Sequence, residues 1–164
     1  GRIRIEPTME GPWAGSWQPM LGYWHHPDAT TAALDGEGLL TDDLGQIDED
    51  GRLRIVGRMN DVIVRGGTNV MPAEIEAALL SHPLVREVAI VGVRDARLGE
   101  RIAAAVVIDS EPIDSDAIDA EVLRSHARAT LSGDRVPSEI QIVHELPRNS
   151  LGKVIHSEVV AFFA

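Results

Sequence analysis

The sequence lacks cysteine altogether and contains a single lysine, Lys153, among the 15 cationic residues of its 164. Without cysteine there is no disulfide framework, no thiolate metal site and no cysteine nucleophile, and the composition fits a reducing compartment. No stretch approaches the roughly 18 apolar residues of a membrane-spanning helix, and residues 1–10 hold no apolar run typical of a signal peptide. We therefore expect a soluble, cytoplasmic protein with no membrane span.

Positive charge is scarce, since 15 Lys and Arg stand against 26 Asp and Glu and give a formal net charge of −11. Such a charge repels polyphosphates, so nucleic acid and anionic membranes are not expected partners. Hydrophobic residues make up 44% of the sequence, enough for a chain of this length to bury a core. Aromatic residues are few and cluster near the start, which indicates that the opening segment belongs to a larger body.

Arginine has replaced lysine at every cationic position except 153. A compact, flexible ammonium and a planar guanidinium are not interchangeable, so Lys153 is a candidate functional residue. It ends a glycine-containing loop, 147–153, beside Arg148, where we expect a local cationic spot suited to an anionic ligand. Walker-type spacing is absent, because Pro147 stands where the first Gly is needed and Val154 follows the lysine. A solvated surface turn is the plainer alternative.

The predicted elements alternate between strands and helices, which favours an α+β fold class with helices packed on a mixed sheet. A helix is expected from Ser115, acting as the N-cap, through about Leu131, with the apolar residues Ile118, Val122 and Ala129 near one face. The other predictions are strands at 2–5, 44–47, 53–56, 62–65, 85–93, 102–108 and 139–143 and helices at 28–34, 73–81 and 157–163.

The least regular joint of the chain lies at 57–61, where a predicted hairpin ends and a new βα pattern begins. This predicts a β-rich piece over 1–57, a hinge over 58–61 and a small α+β domain over 62–164.

Two short patterns could carry chemistry. Asp42 and Asp43 follow a predicted helix and could bind a cation, accept ribose hydroxyls or only solvate a turn. Gly66 and Gly67 could form a simple turn or let a ligand pass close to the backbone. Spacing alone leaves these alternatives open.

Several motifs nevertheless occur in a characteristic order along the chain. They are Gly22-Tyr23-Trp24, Pro27-Asp28-Ala29-Thr30, Thr41-Asp42-Asp43-Leu44-Gly45, Asp50-Gly51-x-Leu53-x-Ile55-Val56-Gly57-Arg58, Asp61-x-Ile63, Gly66-Gly67-x-Asn69-Val70-x-Pro72-x-Glu74-Ile75-Glu76 and Leu146-Pro147-Arg148-x4-Lys153. Over about positions 1–160 this set strongly resembles the C-terminal third of the adenylate-forming enzymes, specifically the acyl-CoA synthetases.

The resemblance implies an ATP-dependent, AMP-forming acid–CoA ligase that makes acyl-AMP and then acyl-CoA, as in fatty acid metabolism. It implies that Asp43 and Arg58 bind the nucleotide and that Lys153 is the catalytic lysine of adenylation. It places the hinge at Asn60, about which the small domain rotates between the half-reactions. Rotation then brings the Gly66-Gly67 segment to CoA.

The resemblance further implies that the large N-terminal domain, with the phosphate loop, the acid pocket and the Mg²⁺ contacts, lies outside this chain. The expected partners are therefore that domain, a carboxylic acid, ATP with Mg²⁺, and CoA, with no metal ligands in this chain, which alone should be inactive. The chain departs from the family pattern at Asp42, where the family has Gly, and at Gly38 and Leu39, where it has aromatic residues. It departs also at Asn60, where the family has Asp or Lys, and at Arg2, where it has an acidic residue.

Two alternatives stay open from the sequence. The chain could be a stand-alone lid-like module that binds or complements a partner. It could instead belong to an adenylating enzyme that passes its acyl group to a carrier protein or another acceptor. The identity of the acid is not encoded in these residues.

Overall fold

The computed structural model describes residues 1–36, 38–109 and 118–164. The chain divides into two compact units, Gly1–Asn60 and Asp61–Ala164. Strands and helices are mixed along it, which confirms the predicted α+β class. Over the described ranges, no helix combines the length and the apolar character that crossing a membrane requires.

The first unit is built on a three-stranded antiparallel sheet in the order β1-β2-β3. Its elements are β1 (Arg2–Ile5), helix α1 (Pro27–Ala33), β2 (Leu39–Ile47) and β3 (Leu53–Arg58). The β2–β3 hairpin turns where predicted, since Asp48 Oδ1 accepts the amides of Asp50 at 3.1 Å and Arg52 at 2.8 Å. The strand itself begins at Leu39 rather than at 44.

One face of this sheet carries exposed apolar side chains. Ile47 pairs with Leu53, and Gly45 pairs with Ile55, so the four residues share one face. The isoleucine and leucine side chains at 47, 53 and 55 are 56–70% exposed, well beyond what a buried sheet face shows. Contiguous apolar exposure of this kind is typical of interaction surfaces and ligand-binding grooves.

The second unit holds a five-stranded sheet in the order β5-β4-β7-β6, with β8 parallel to β7. Its strands are β4 (Ile63–Arg65), β5 (Thr68–Val70), β6 (Val85–Asp95), β7 (Gly99–Ile108) and β8 (Glu139–Ile142). Its helices are α2 (Pro72–Leu80), α3 (Ala120–Arg128) and α4 (His156–Val160), and single 3₁₀ turns lie at Met59–Asp61 and Ala161–Phe163.

The β6–β7 hairpin is the centre of the second unit and is buried on both faces. On one face, residues such as Ile90 and Ile102 pack with Leu79 of α2 and Leu123 of α3. On the other face, the alternate residues Ala89, Val91, Ala103, Ala105 and Val107 pack with Val159 of α4 and with Phe163. Burial on both faces explains why these strands read as continuous apolar runs instead of alternating ones.

Helix α3 begins later than predicted. Its N-cap is Asp119, whose Oδ1 accepts the amides of Glu121 at 2.8 Å and Val122 at 2.9 Å. The predicted cap, Ser115, lies outside the described residues. Of the three residues predicted for the buried face, Ile118 is buried but precedes the helix. The prediction was wrong for Val122 and Ala129, which are exposed, and the helix buries Leu123 and Ala127 instead.

Strand β5 was missing from the sequence prediction. The structure pairs Arg65 with Thr68 and leaves Gly66 and Gly67 between them as a two-residue hairpin loop. Both glycines have positive φ, +58° and +84°, as the central residues of a type I′ turn require. The glycine pair therefore forms a turn between two strands, which is one of the alternatives that the sequence left open.

A pair of histidines lies where α2 and α3 approach each other. The rings of His82 and His126 are perpendicular, with centroids 5.0 Å apart, and His82 Nδ1 accepts the Leu84 amide at 3.3 Å. Burial, and to a smaller extent the neighbouring His126, hold the pKa of His82 below its usual value.

This shift predicts a pH-dependent stability. The unfolded chain binds a proton at His82 more readily than the folded chain does. The contribution of neutral His82 to the free energy of unfolding should therefore be complete above the ordinary imidazole pKa of about 6.5, and it should be lost as the pH drops below that value. Urea unfolding at about pH 7.5 and about pH 5.5 measures the difference. The difference should shrink in His82→Gln and persist in the exposed control His144→Gln; an equal slope in all three proteins would contradict the assignment.

Candidate active site

Asp43 and Arg58 face each other across the β2–β3 pair. They are register partners, and Arg58 Nε donates to Asp43 Oδ1 at 3.2 Å. The Arg58 side chain is 63% exposed and that of Asp43 is 33% exposed. An ion pair this accessible contributes only about 0.2–1 kcal/mol, so an incoming ligand can compete for either partner. Together they offer a carboxylate acceptor and guanidinium donors on one surface.

Asp42 lies in the middle of strand β2 and not in a turn, which corrects one of the possibilities raised for this residue. Successive side chains on a strand point to opposite faces, so Asp42 and Asp43 do not form a joint cation site. No cluster of three or more potential metal-ligating side chains occurs in the parts of the chain that the structure describes.

The carboxylate of Asp42 instead bonds to two residues from different segments. Arg2 Nη2 donates to Asp42 Oδ1 at 3.2 Å, and Asn60 Nδ2 donates to Asp42 Oδ2 at 3.5 Å. Asn60 lies in the 3₁₀ turn Met59–Asp61 and is the last residue of the first unit. Three of the positions at which the chain departs from the family pattern are therefore joined by hydrogen bonds.

The Gly66-Gly67 turn is bonded to strand β7 and to Leu98, the residue before that strand. The Gly66 amide donates to Leu98 O at 2.8 Å, and Arg65 pairs with Gly99. The Val64 amide donates to Glu100 Oε2 at 2.6 Å. The space beside the turn is open, because a Cβ placed on Gly67 would have no heavy atom of a non-neighbouring residue within 4 Å. A ligand can thus approach the backbone there without displacing side chains of this unit.

Lys153 lies at the end of a tight loop that follows β8. Its side chain is exposed, and among the described residues its ammonium makes no ion pair or hydrogen bond. Arg148 and Val154 form an isolated antiparallel bridge at the base of the loop, and Gly152 takes a φ of +77°. The loop presents one uncompensated cation to solvent.

Arg148 does not share that cationic role, contrary to the expectation from its place in the sequence. Its Nη2 pairs with the Glu87 carboxylate of β6, and its Nη1 donates to Gly152 O at 2.6 Å. Its charge is compensated locally, and the side chain fastens the loop to the sheet.

The candidate residues therefore fall on three surfaces. Asp43, Arg58 and Asn60 lie within the first unit, while the Gly66-Gly67 turn and the Lys153 loop are separate features of the second. Sequence reasoning missed the residues that hold these features in place, namely Glu100, Asn149 and the Arg148–Glu87 pair. Only Arg148 carried a sequence signal, because it stands within a quoted motif.

Comparison with known proteins finds a matching family and similar ligases. Residues 74–153 match the AMP-binding enzyme C-terminal domain family, and the match ends on Lys153. A long-chain-fatty-acid–CoA ligase of Salmonella typhimurium is 40% identical over 94% of this chain and 26% of its own length. The chain spans about a quarter of the length of the curated relatives it matches, 26–27% for the first of them.

Two solved structures are similar in fold and sequence. ATP-bound MatB from Rhodopseudomonas palustris superposes with a TM-score of 0.78 and 35% identity over 87% of this chain and 28% of its own. The amide bond synthetase McbA from Marinactinospora thermotolerans gives a TM-score of 0.78 and 37% identity over 88% of this chain and 29% of its own.

Proposed function

This chain carries an AMP-binding enzyme C-terminal domain and corresponds to the C-terminal part of an adenylate-forming enzyme, and on that premise we propose that the complete protein is an ATP-dependent acid–CoA ligase. A substrate carboxylate attacks the α-phosphorus of ATP and pyrophosphate leaves, which gives acyl-AMP. The thiol of CoA then attacks the acyl carbon, AMP leaves and the thiol proton is released. The observation that carries this proposal is the 40% identity to a ligase of that type over 94% of the chain.

Lys153 has the properties that the first half-reaction needs. Negative charge builds where the carboxylate oxygen meets the phosphate, and a placed ammonium offsets that charge in the transition state. An exposed lysine with no partner among the described residues can turn wholly toward such a substrate. We therefore assign the formation of acyl-AMP to Lys153 and its loop.

Asp43 and Arg58 are proposed to hold the nucleotide. The carboxylate of Asp43 can accept hydrogen bonds from ribose hydroxyls, and the guanidinium of Arg58 has further N–H groups for ribose or phosphate oxygens. Mg²⁺ would accompany ATP with its contacts outside this chain. The Gly66-Gly67 turn is proposed to contact CoA in the second half-reaction.

The remainder of the catalytic apparatus is proposed to lie in a preceding large domain. The exposed apolar face at Ile47, Leu53 and Ile55 supports this, because a larger domain would cover it. A native polypeptide several times heavier than the 17.8 kDa of this chain, detected by immunoblot, is the expected observation. A native band at 17.8 kDa would instead favour a stand-alone module that complements a partner.

CoA is the proposed acceptor of the acyl group, and a carrier protein or an amine is the alternative. The similarity to an amide bond synthetase favours an amine as an alternative acceptor, beside the carrier protein that the sequence leaves open. The complete protein should release pyrophosphate only with an acid and ATP, and then form AMP with CoA, with a carrier protein or with an amine. Rapid AMP formation with CoA would support the acid–CoA ligase. Rapid AMP formation with a carrier protein or an amine but not with CoA would replace CoA by that acceptor in the proposed function.

Asn60→Pro tests the proposed hinge. Proline fixes φ near −65° and disfavours a helical conformation for Met59 before it, so the Met59–Asp61 turn should lose its rotational freedom. We expect overall turnover to fall about tenfold or more, with at least one half-reaction preserved when assayed alone. Asn60→Ala is the matched control, because it removes only the bond to Asp42. Unchanged overall turnover in the proline variant, together with unchanged rates in both half-reactions, would refute the hinge.

A further inference from the structure

The loop that presents Lys153 is organised around one side chain, that of Asn149. Its Oδ1 accepts the amide of Leu151 at 3.0 Å and the amide of Lys153 at 2.9 Å. Its own amide donates to Lys153 O at 2.9 Å, and its carbonyl accepts the amide of Gly152 at 2.9 Å. The backbone of the lysine is therefore bonded to Asn149 on both its donor and its acceptor side.

This arrangement leaves little freedom to the Cα of Lys153. The paired hydrogen bonds between residues 149 and 153 close the loop. A further bond, from the Ile155 amide to Pro147 O at 2.9 Å, joins the two segments that flank it. Arg148 ties the same loop to β6 through Glu87. The loop is thus fixed internally by Asn149 and externally by Arg148, while the lysine side chain stays exposed.

We infer that Asn149 is a positioning residue for Lys153, acting through the backbone of the loop and not by touching the substrate. The inference rests on the proposed function, because it concerns the adenylating lysine. Its physical basis is that a displacement of about 1 Å in a reacting group can cost on the order of 100-fold in rate. An alanine at 149 leaves the two exposed amides to water, so the domain should stay folded while the loop loosens.

The test compares three variants of the complete protein. Asn149→Ala removes the Oδ1 acceptor, whereas Asn149→Asp keeps an oxygen in the same place and serves as the rescue variant. Ser150→Ala is the matched control, because the Ser150 hydroxyl makes no hydrogen bond within the described part of the loop. Each protein is assayed for acyl-AMP formation and separately for thioester formation from supplied acyl-AMP.

Asn149→Ala should slow acyl-AMP formation about 10- to 100-fold in kcat, with little change in the KM for ATP. Thioester formation should stay within about twofold, and Ser150→Ala should resemble the wild type. Asn149→Asp restores the acceptor oxygen but adds a negative charge beside the lysine, so it should recover only part of the adenylation rate. An unchanged adenylation rate in Asn149→Ala, or an equal loss in both half-reactions, would overturn the inference.

Amide hydrogen exchange of the peptide covering residues 149–154 separates this inference from the proposed function. Exchange at Leu151 and Lys153 should quicken in Asn149→Ala and return toward the wild-type rate in Asn149→Asp. If the wild-type protein makes no acyl-AMP, the proposed function fails, and the exchange data still report whether Asn149 orders the loop. Unaltered exchange in Asn149→Ala would overturn the positioning role whatever the enzyme's activity.

Discussion

Lys153→Ala is expected to lower the rate of acyl-AMP formation by about 10²–10³-fold, the loss typical when one preorganised charge-stabilising group is removed. The ammonium is the charge that offsets the anionic transition state, and no other uncompensated cation stands on its loop, since Arg148 is paired with Glu87. Thioester formation from supplied acyl-AMP should be nearly unchanged, because that step has no attack on phosphorus. Pyrophosphate release and CoA thioester formation measure the two steps separately.

Lys153→Arg is the matched control for this variant. It retains the positive charge but replaces a compact ammonium with a bulkier planar group, so it should recover only part of the adenylation rate. A full recovery would mean that charge alone suffices. An equal loss in both half-reactions of Lys153→Ala would remove the lysine from its assigned role.

Gly67→Val should have the opposite selectivity, slowing thioester formation about tenfold or more while leaving adenylation nearly intact. The glycine has a φ of +84°, where a β-branched residue is strained, and the turn is open on the side where a Cβ would stand. A valine there therefore projects into the space that the acyl acceptor is proposed to use. The same two assays as for Lys153 measure the effect.

Gly67→Ala separates strain from obstruction. It meets no heavy atom within 4 Å and bears the same unfavourable φ, so a small loss in this variant beside a large one in Gly67→Val points to obstruction of the acceptor. Adenylation in the same preparations reports whether the domain is folded. A valine variant that forms the thioester at the wild-type rate would exclude the turn from CoA binding.

Much of the fold could be predicted because its signals are local. The apolar runs at 85–93 and 102–108 became the paired strands β6 and β7, and Pro72 marks the start of α2 as expected. The predicted strands at 44–47 and 53–56 lie in the β2–β3 hairpin, whose turn contains Asp48 and Gly51. These features depend on neighbours in sequence and need no knowledge of the tertiary structure.

The remaining features depend on contacts between distant residues. Helix α3 is oriented by what Leu123 and Ala127 pack against, so its periodicity alone misassigned Val122 and Ala129 to the buried face. The contact between Asp42 and Asn60 spans 18 positions, and the Arg148–Glu87 pair spans 61. No sequence window holds both members of such a pair, which is why the supports of the candidate site were not foreseen.

The motif resemblance, in contrast, pointed to function more directly than any single residue could. Considered alone, each of Lys153, Gly66 and Asp43 could be an ordinary surface or turn residue. The order of the motifs that contain them is much more specific. The family match over residues 74–153 agrees with that interpretation. The individual roles of the site residues stay predictions that the half-reaction assays decide.

The attachment of both loops to one hairpin has a consequence for how this protein can evolve. The Gly66-Gly67 turn is bonded to β7 and the residue before it, and the Lys153 loop is fastened to β6 through Arg148. A substitution that alters the twist of the β6–β7 ladder shifts both loops at once, so a change in the two strands cannot redirect one loop without disturbing the other. Divergence among descendants of this protein should therefore concentrate in the loop residues themselves, while the two strands drift little.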